Sequence, residues 1–308
     1  MLRFVLWRVA QFPLILAVIY LLTFLLAWVA PGDPFEGERK LDPIAKRQLQ
    51  QQFHAETWYT FLAYYPRNMV VNGDLGPSLF YKEWSVNDIL GASLPVSLTL
   101  GAFAITIAAF FGIAIGAMAA VSRGRPFDWF SLAVALVGIS LPSFVVASVL
   151  MVVFSAKLHW FPLGGFNSPK HVILPGLALS LMPMAYITRL TRVAMIDVLG
   201  SDYVRTARAK GLSRATVIWK HCLRNAILPV VSYLGPAAAF TLTGSFVVEK
   251  VFNVPGLGQH FVNSVLNRDQ TLILGTVMVY SVFLLSLNLI VDVAYAFIDP
   301  RIDVGAGD

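Results

Sequence analysis

The sequence predicts an all-α polytopic membrane protein, and three observations carry the prediction. The chain of 308 residues is 57% apolar but only 13% charged. Its mean hydropathy is +0.70. Its apolar residues gather into six runs, each long enough to cross a bilayer as a helix. A soluble domain of this length needs far more charge to cover its surface. The net charge of +6 would suggest a nucleic-acid partner if the basic residues lay on a polar surface. They lie instead at the edges of apolar runs, which points to membrane lipid and to no nucleic acid.

A helix needs about 20 apolar residues to cross about 30 Å of hydrocarbon. The runs that qualify are 9–30, 94–121, 129–154, 172–196, 228–248 and 272–298. The first follows Arg3 and Arg8 but is too long for a signal-peptide core, and AWVAPG offers no A-x-A cleavage site. Residues 1–30 are therefore expected to stay as an anchor. Orientation follows from the Lys/Arg bias of the short loops. Arg123, Arg125, Arg189, Arg192 and the basic segment 201–226 fall on one side, taken as cytoplasmic. Only Lys157, Lys170, Lys250 and Arg268 occupy the short loops opposite. The long 31–93 loop translocates largely regardless of its charge. Both termini, including the 301–308 tail, are thus expected in the cytoplasm. The lone cysteine, Cys222, cannot form an internal disulfide and suits a reducing side.

The 31–93 region reads as an ordered extracytoplasmic insert between helices 1 and 2. Asp42 is placed as an N-cap with Pro43 at the first helical position. NGDLGPS, residues 72–78, is a turn cluster, and SVND begins a helix with Ser85 as cap and Asp88 three residues on.

Further along, Gly112 and Gly116 form G-x-x-x-G, extended by Ala120. That spacing lets two helix backbones approach, within the bundle or against a partner. Pro142, Pro175, Pro183 and Pro236 are expected to interrupt or kink the later spans. Freed carbonyls at membrane depth need protein or a wet cavity beside them. A translocation path near Ser140, Pro142 and Ser143, with Thr243, Gly244 and Ser245 across from it, is expected on that ground. PGLGQ, residues 255–259, gives a tight outer turn. Glu249 and Arg268 flank it, as outer-gate candidates or as plain solvated loop charges.

The basic segment SDYVRTARAKGLSRATVIWKHCLRNA, residues 201–226, sets six Lys and Arg against one Asp. Ser201 is placed as an N-cap, with Asp202 in the first turn where a helix dipole favours an acid. The helical pattern runs to Lys210, and Gly211 suits a left-handed C′ position. Ser213 caps a second helix running through Trp219 and Cys222 toward Pro229. Helix, glycine turn and helix would lie at the membrane surface, where the positive side chains could also simply gather anionic headgroups.

YVRTARAKGLS followed by HCLRNAILPV resembles the cytoplasmic coupling loop of binding-protein-dependent ABC importer permeases, in the form found in the dipeptide and oligopeptide branch. The superfamily motif is E-A-A-x-x-x-G-x9-I-x-L-P. Laid on Gly211, it puts Arg205, Thr206 and Ala207 at the E-A-A positions, so Arg replaces the acid and no contact made through that acid carries over. The I-x-L-P positions fall on His221, Cys222, Leu223 and Arg224, with the proline delayed to Pro229. Other blocks in order extend the likeness over nearly the whole chain: MLRFVLWR, APGDPFEGER, GDLGPS, TGSFVVEKVFNVPGLGQ, LNRD and VDVAYAFIDPRI. The GER block and the insert length look most like the B-type oligopeptide permease subunit. The resemblance implies a bacterial inner-membrane permease domain over 94–300, one half of a heterodimeric pore. It also implies a partner permease, two ATPase subunits carrying ATP and magnesium, and an extracytoplasmic peptide-binding protein. Arg205, Thr206, Ala207, Lys210, Gly211, Leu212, Ser213 and Arg214 would form the ATPase-coupling surface. Nickel chelates and glutathione are alternative cargoes for the same machinery.

Other chemistries find little support in the residues. There is no G-x-x-x-x-G-K-[ST] for a nucleotide on this chain. The five histidines show no metal-ligand spacing, so no metal or cofactor is expected here. Gly138-Ile139-Ser140 with His260 resembles an intramembrane serine protease only loosely, since His260 falls in an outer loop. An ion-coupled transporter usually needs ionisable groups at mid-membrane. Glu249, Asp292, Arg189 and Arg192 all fall near span ends.

Overall fold

The computed structural model describes residues 2–30 and 57–298 apart from Lys82, together with Ile44, Arg47, Gln48 and Gln51. The expected cap at Asp42 and Pro43 and the 301–308 tail lie outside the described residues. Among the described residues the regular structure is all helical, with one isolated bridge between Pro77 and Ser85.

The helices are α1 (Leu2–Val29), α2 (Trp58–Asn72), α3 (Val86–Val121), α4 (Pro126–Ser140) and α5 (Ser143–Leu150), the last continuing as a π-helix over Met151–Lys157. After these come α6 (Lys170–Leu199) and α7 (Asp202–Ala209). The next segment, α8, is α-helical over Arg214–Thr216, π-helical over Val217–Cys222 and α-helical again over Leu223–Ala226. Then follow α9 (Leu228–Val251), α10 (Leu257–Leu266) and α11 (Gln270–Ile298).

Four of the described helices are long and apolar enough to cross a membrane: Val5–Val29, Val86–Val121, Lys170–Leu199 and Gln270–Val293. The run read as one span over 129–154 is instead a helix pair, α4 and α5, bent by 103°. The cause is Pro142. Its ring excludes the preceding residue from helical backbone, and Leu141 sits at φ −86°, ψ 125°. Pro175, Pro183 and Pro236, by contrast, stand inside helices that run on past them. Of the four prolines expected to interrupt or kink the spans, Pro142 breaks its helix outright. The 24-residue α9, with its apolar stretch Leu228–Ala239, covers the fifth run.

The chain divides into two compact units. The first centres on Leu98–Val254, and α6 is its hub, packing on α4, α5 and α9. Over half of its most apolar stretch, 56%, is buried, so α6 is the core helix of this unit. The Gly112/Gly116 pair explains how α3 joins this hub. A Cβ on Gly112 would come within 2.8 Å of Ile187 Cγ2, and one on Gly116 within 2.5 Å of the Thr188 carbonyl oxygen. The small residues let the α3 backbone lie directly on α6, so the motif serves packing inside the chain.

The second unit comprises Leu6–Ser97 and Pro255–Ser286. Its core is aromatic: Tyr20 and Phe24 of α1, Phe61 and Tyr65 of α2, and Leu274 and Met278 of α11. The two tyrosine hydroxyls are satisfied, Tyr20 donating to the Leu62 carbonyl (3.1 Å) and Tyr65 to that of Thr271 (3.0 Å). The buried Asp269 fastens the NGDLGPS turn to α11. One carboxylate oxygen accepts from Leu272 N–H (3.1 Å) and the Thr271 hydroxyl (3.0 Å), capping α11. The other accepts from the Ser78 hydroxyl and from Phe80 N–H. At the start of α3 the expected cap forms, Ser85 Oγ accepting from Asp88 N–H (3.1 Å) and donating to the Asp88 carboxylate (2.5 Å).

Candidate functional site

The basic segment folds as the sequence suggests, with one local exception. In α7, Val204 and Ala207 are buried while Arg205, Thr206, Arg208 and Lys210 are exposed. The three-residue spacing turns one apolar edge inward. The helix ends in a Schellman motif: Gly211 at φ 75°, Gly211 N–H on the Arg208 carbonyl (3.0 Å) and Leu212 N–H on that of Ala207 (3.3 Å). Ser213 then caps α8 by accepting from Thr216 N–H at 3.2 Å. Ser201 differs from expectation. It stands at the N-cap position with extended backbone, but its hydroxyl donates back to the Val198 carbonyl at 2.6 Å. The reason is local: α6 has just ended, and its last carbonyls need donors.

The π-turn of α8 is what seats this pair. A π-helix closes i→i+5, as Leu223 N–H does on Ile218 O, and so aligns Val217 with Cys222. Both are buried, in one cluster with Val204 and Ala207 of α7, Ala117 and Ala120 of α3, Met195 of α6 and Ala226. The helix pair is thereby bolted to the ends of α3 and α6. Only Ile227 separates α8 from α9, and only Gly200 and Ser201 separate α6 from α7. The outer face presents Arg205, Arg208, Lys210, Arg214, Lys220 and Arg224 to solvent. Arg205, at the acid position of the motif, pairs with Asp202 at 3.4 Å, an exposed contact worth ~0–1 kcal/mol. Cys222 is buried and burial raises its thiol pKa, so it is a packing residue with little thiolate to react.

One pair was not foreseen. Asp128, in the first turn of α4, receives both Arg192 Nε (2.5 Å) and Nη2 (2.8 Å), and Gly124 N–H at 2.9 Å. The carboxylate side chain is 3% exposed and the guanidinium 18%. Arg192 sits one turn before Met195, so the bridge lies next to the seat of the helix pair. The available signal was an acid at the start of an apolar run otherwise flanked by Arg123 and Arg125.

The expected path residues are less uniform. Ser140 and Pro142 are exposed and Ser143 half-buried, while Ser245 is fully buried with its hydroxyl on the Leu242 carbonyl (2.6 Å). The side chains of Thr243 and Gly244 lie outside the description. Their helices, α5 and α9, do pack together. Glu249 is corrected: α9 extends past it, so it is a fully buried helix residue rather than a solvated loop charge. Arg268 is exposed, as expected. The Ser140 hydroxyl is spent on the Leu136 carbonyl (2.8 Å), as an unactivated helix serine, and His260 packs edge-on against Tyr81.

Among the described residues the chain is a helical protein with several membrane-length apolar helices and a basic helix pair exposed on its surface, the form of a polytopic membrane protein. The family model described as "binding-protein-dependent transport system inner membrane component" matches residues 112–304. The dipeptide transport system permease protein of Bacillus subtilis is 42% identical over 302 residues, covering 98% of each chain. The oligopeptide transport system permease protein of Escherichia coli K12 is 42% identical over 304 residues, covering 98% of this chain and 99% of the relative. Among solved structures, an amino acid ABC transporter aligns with TM-score 0.53 at 20% identity, over 68% of this chain and 94% of the other. The methionine ABC transporter in inward-facing form aligns with TM-score 0.54 at 15% identity, over 67% and 95%. Those two likenesses concern the fold. The chain belongs to the family of inner-membrane components of binding-protein-dependent transport systems, and is a multi-pass transport subunit rather than an enzyme.

Proposed function

We propose that this chain is half of the translocation pathway of an ABC importer for dipeptides or oligopeptides. The observation that carries the substrate class is the 42% identity, at nearly full length, to both a dipeptide and an oligopeptide permease. In this reading a second permease completes the pore and two ATPase subunits bind ATP and magnesium. An extracytoplasmic binding protein delivers the peptide. The coupling surface is Arg205–Ala207 with Lys210–Arg214, seated on α3, α6 and α8, with α9 following α8 through Ile227. A push on it reaches several helices at once. The path runs by the break at Pro142, with Ser140, Ser143, Thr243, Gly244 and Ser245 beside it and the buried Glu249 toward its outer end. The test is reconstitution of the full complex in vesicles. Labelled di- and oligopeptides are expected to accumulate with ATP and binding protein. Accumulation of a nickel chelate or glutathione with neither peptide would overturn the substrate class.

The same proposal includes six crossings, cytoplasmic termini, a cytoplasmic 201–226 loop and an outer 31–93 insert. It draws on the Lys/Arg bias of the short loops. Because Cys222 is buried, single cysteines can be read in the natural background. In intact cells an impermeant maleimide is expected to label Asn72→Cys and to leave both Ser213→Cys and the unsubstituted protein unlabelled. Labelling of Ser213→Cys would reverse the topology, and labelling of the unsubstituted protein would show Cys222 to be accessible.

A further inference from the structure

The second unit contains a cleft of about 300 Å³ that the transport reading does not use. Three helices each give it one face. Thr23 and Ala27 of α1, with Ala30 just past its end, lie on one side, Ile273 and Val277 of α11 on another, and Phe261 and Val265 of α10 close it. The wall is apolar apart from Thr23, Gln270 and Arg268. The Gln270 amide is already engaged, donating to the Ala27 carbonyl at 3.4 Å. Arg268 is the one charged residue in the lining; its side chain is exposed and makes no ion pair among the described residues.

The backbone at Arg268 is the second observation. It stands at φ 57°, a left-handed conformation uncommon for anything but glycine or asparagine. It is flanked by Asn267, which ends α10, and Asp269, which turns inward to cap α11. A turn here would be easier with glycine. The arginine is kept at a conformational cost, and such an outlier is a reason to look for a use of the side chain.

The geometry limits what can fill the cleft. Its lining runs from Ala30 back to Thr23 and from Gln270 on to Val277, about 10 Å along each helix from its end. An acyl chain fits it, and an anionic group beside the chain's head would meet the guanidinium, which binds phosphate in a bidentate fork.

We infer that this cleft is a site for an anionic membrane phospholipid, with one acyl chain between α1 and α11 and its phosphate on Arg268. The leaflet, the outer one, rests on the orientation proposed above; the binding itself does not. The test uses the purified full transporter complex in nanodiscs of phosphatidylcholine and phosphatidylglycerol, with retained lipid counted after detergent extraction and washing. Phosphatidylglycerol is expected to be retained preferentially. Arg268→Asn suits the left-handed backbone, so it preserves the turn while removing the charge; it should cut that preference at least severalfold. Arg268→Lys should keep most of it. Ala27→Phe, which fills the cleft, should remove the retained lipid altogether. Unchanged preference in Arg268→Asn would overturn the inference. So would zero-length crosslinking of Val265→Cys to a cysteine on the partner permease, since protein would then occupy the cleft. Because lipid retention is read without transport, a failed peptide-uptake assay would leave this result standing.

Discussion

Asp128→Ala is expected to cost about 3–5 kcal/mol, because it strands the Arg192 guanidinium in a site only 18% exposed. The bridge is bidentate, which makes it stronger and more directional than a single charge contact. The Gly124 N–H also loses its acceptor, and with it the tie between the turn after α3 and the start of α4. A deficit of this size corresponds to roughly 6–20 °C in the unfolding midpoint of a domain of 150–250 residues. Arg192→Ala should be similarly harmful. The double substitution Asp128→Leu with Arg192→Met should be milder than either single change, since a buried pair replaced by apolar groups is often neutral. Melting of the purified complex checks this. An Asp128→Ala midpoint within a degree or two of the unsubstituted protein would show that the pair contributes nothing. Losing it should also weaken response to the ATPase, because Arg192 lies one turn from Met195 in the cluster under α7 and α8.

What the sequence revealed and what it hid divide along the distance between interacting residues. Ser85 with Asp88, Ser213 with Thr216, and Gly211 at the end of α7 are contacts over a few residues. Side-chain type and spacing determine such contacts almost alone. The buried edge Val204/Ala207 and the Gly112/Gly116 pair are also periodic, so the inward faces could be read even without knowing what they meet. Asp128 and Arg192 are 64 residues apart, and Asp269 and Ser78 are 191 apart. Of these only Arg192 was read, as a charge near a span end, and it is the packing of α4 on α6, and of the NGDLGPS turn on α11, that brings such distant partners together. Glu249 was misread for a related reason. The apolar run ends at 248, which left Glu249 beside the PGLGQ turn, but α9 continues to Val251. Proline was legible as a type and not in its effect. Pro142 breaks the chain by 103° while Pro175, Pro183 and Pro236 ride inside helices whose neighbours hold them.

Gly211→Val is expected to leave an inserted subunit whose coupling falls by roughly 5–30-fold. Gly211 sits at φ 75°, and a Cβ there would meet nothing within 4 Å. Space is therefore no obstacle; the backbone conformation is. A left-handed residue with a side chain costs about 1–2 kcal/mol, and a β-branched one is a genuine outlier. The chain relieves that strain by returning to negative φ, which breaks both closing bonds, Gly211 to Arg208 and Leu212 to Ala207. The α7–α8 joint then opens, although all six positive side chains remain. If the loop only gathered anionic headgroups, nothing would change, since that attraction depends on charge. If it is a lever held in one shape, the correct shape becomes roughly 5–30 times rarer by the same 1–2 kcal/mol. ATP-driven peptide uptake and the stimulation of hydrolysis by loaded binding protein should fall together by that factor in reconstituted vesicles. Gly211→Asn, which tolerates the left-handed backbone, should retain most of both. Arg214→Ala should be milder than Gly211→Val, because an exposed charge contact is worth about 0–1 kcal/mol. Full coupling in Gly211→Val at normal expression would remove the lever role from this loop and leave it with the lipid surface alone.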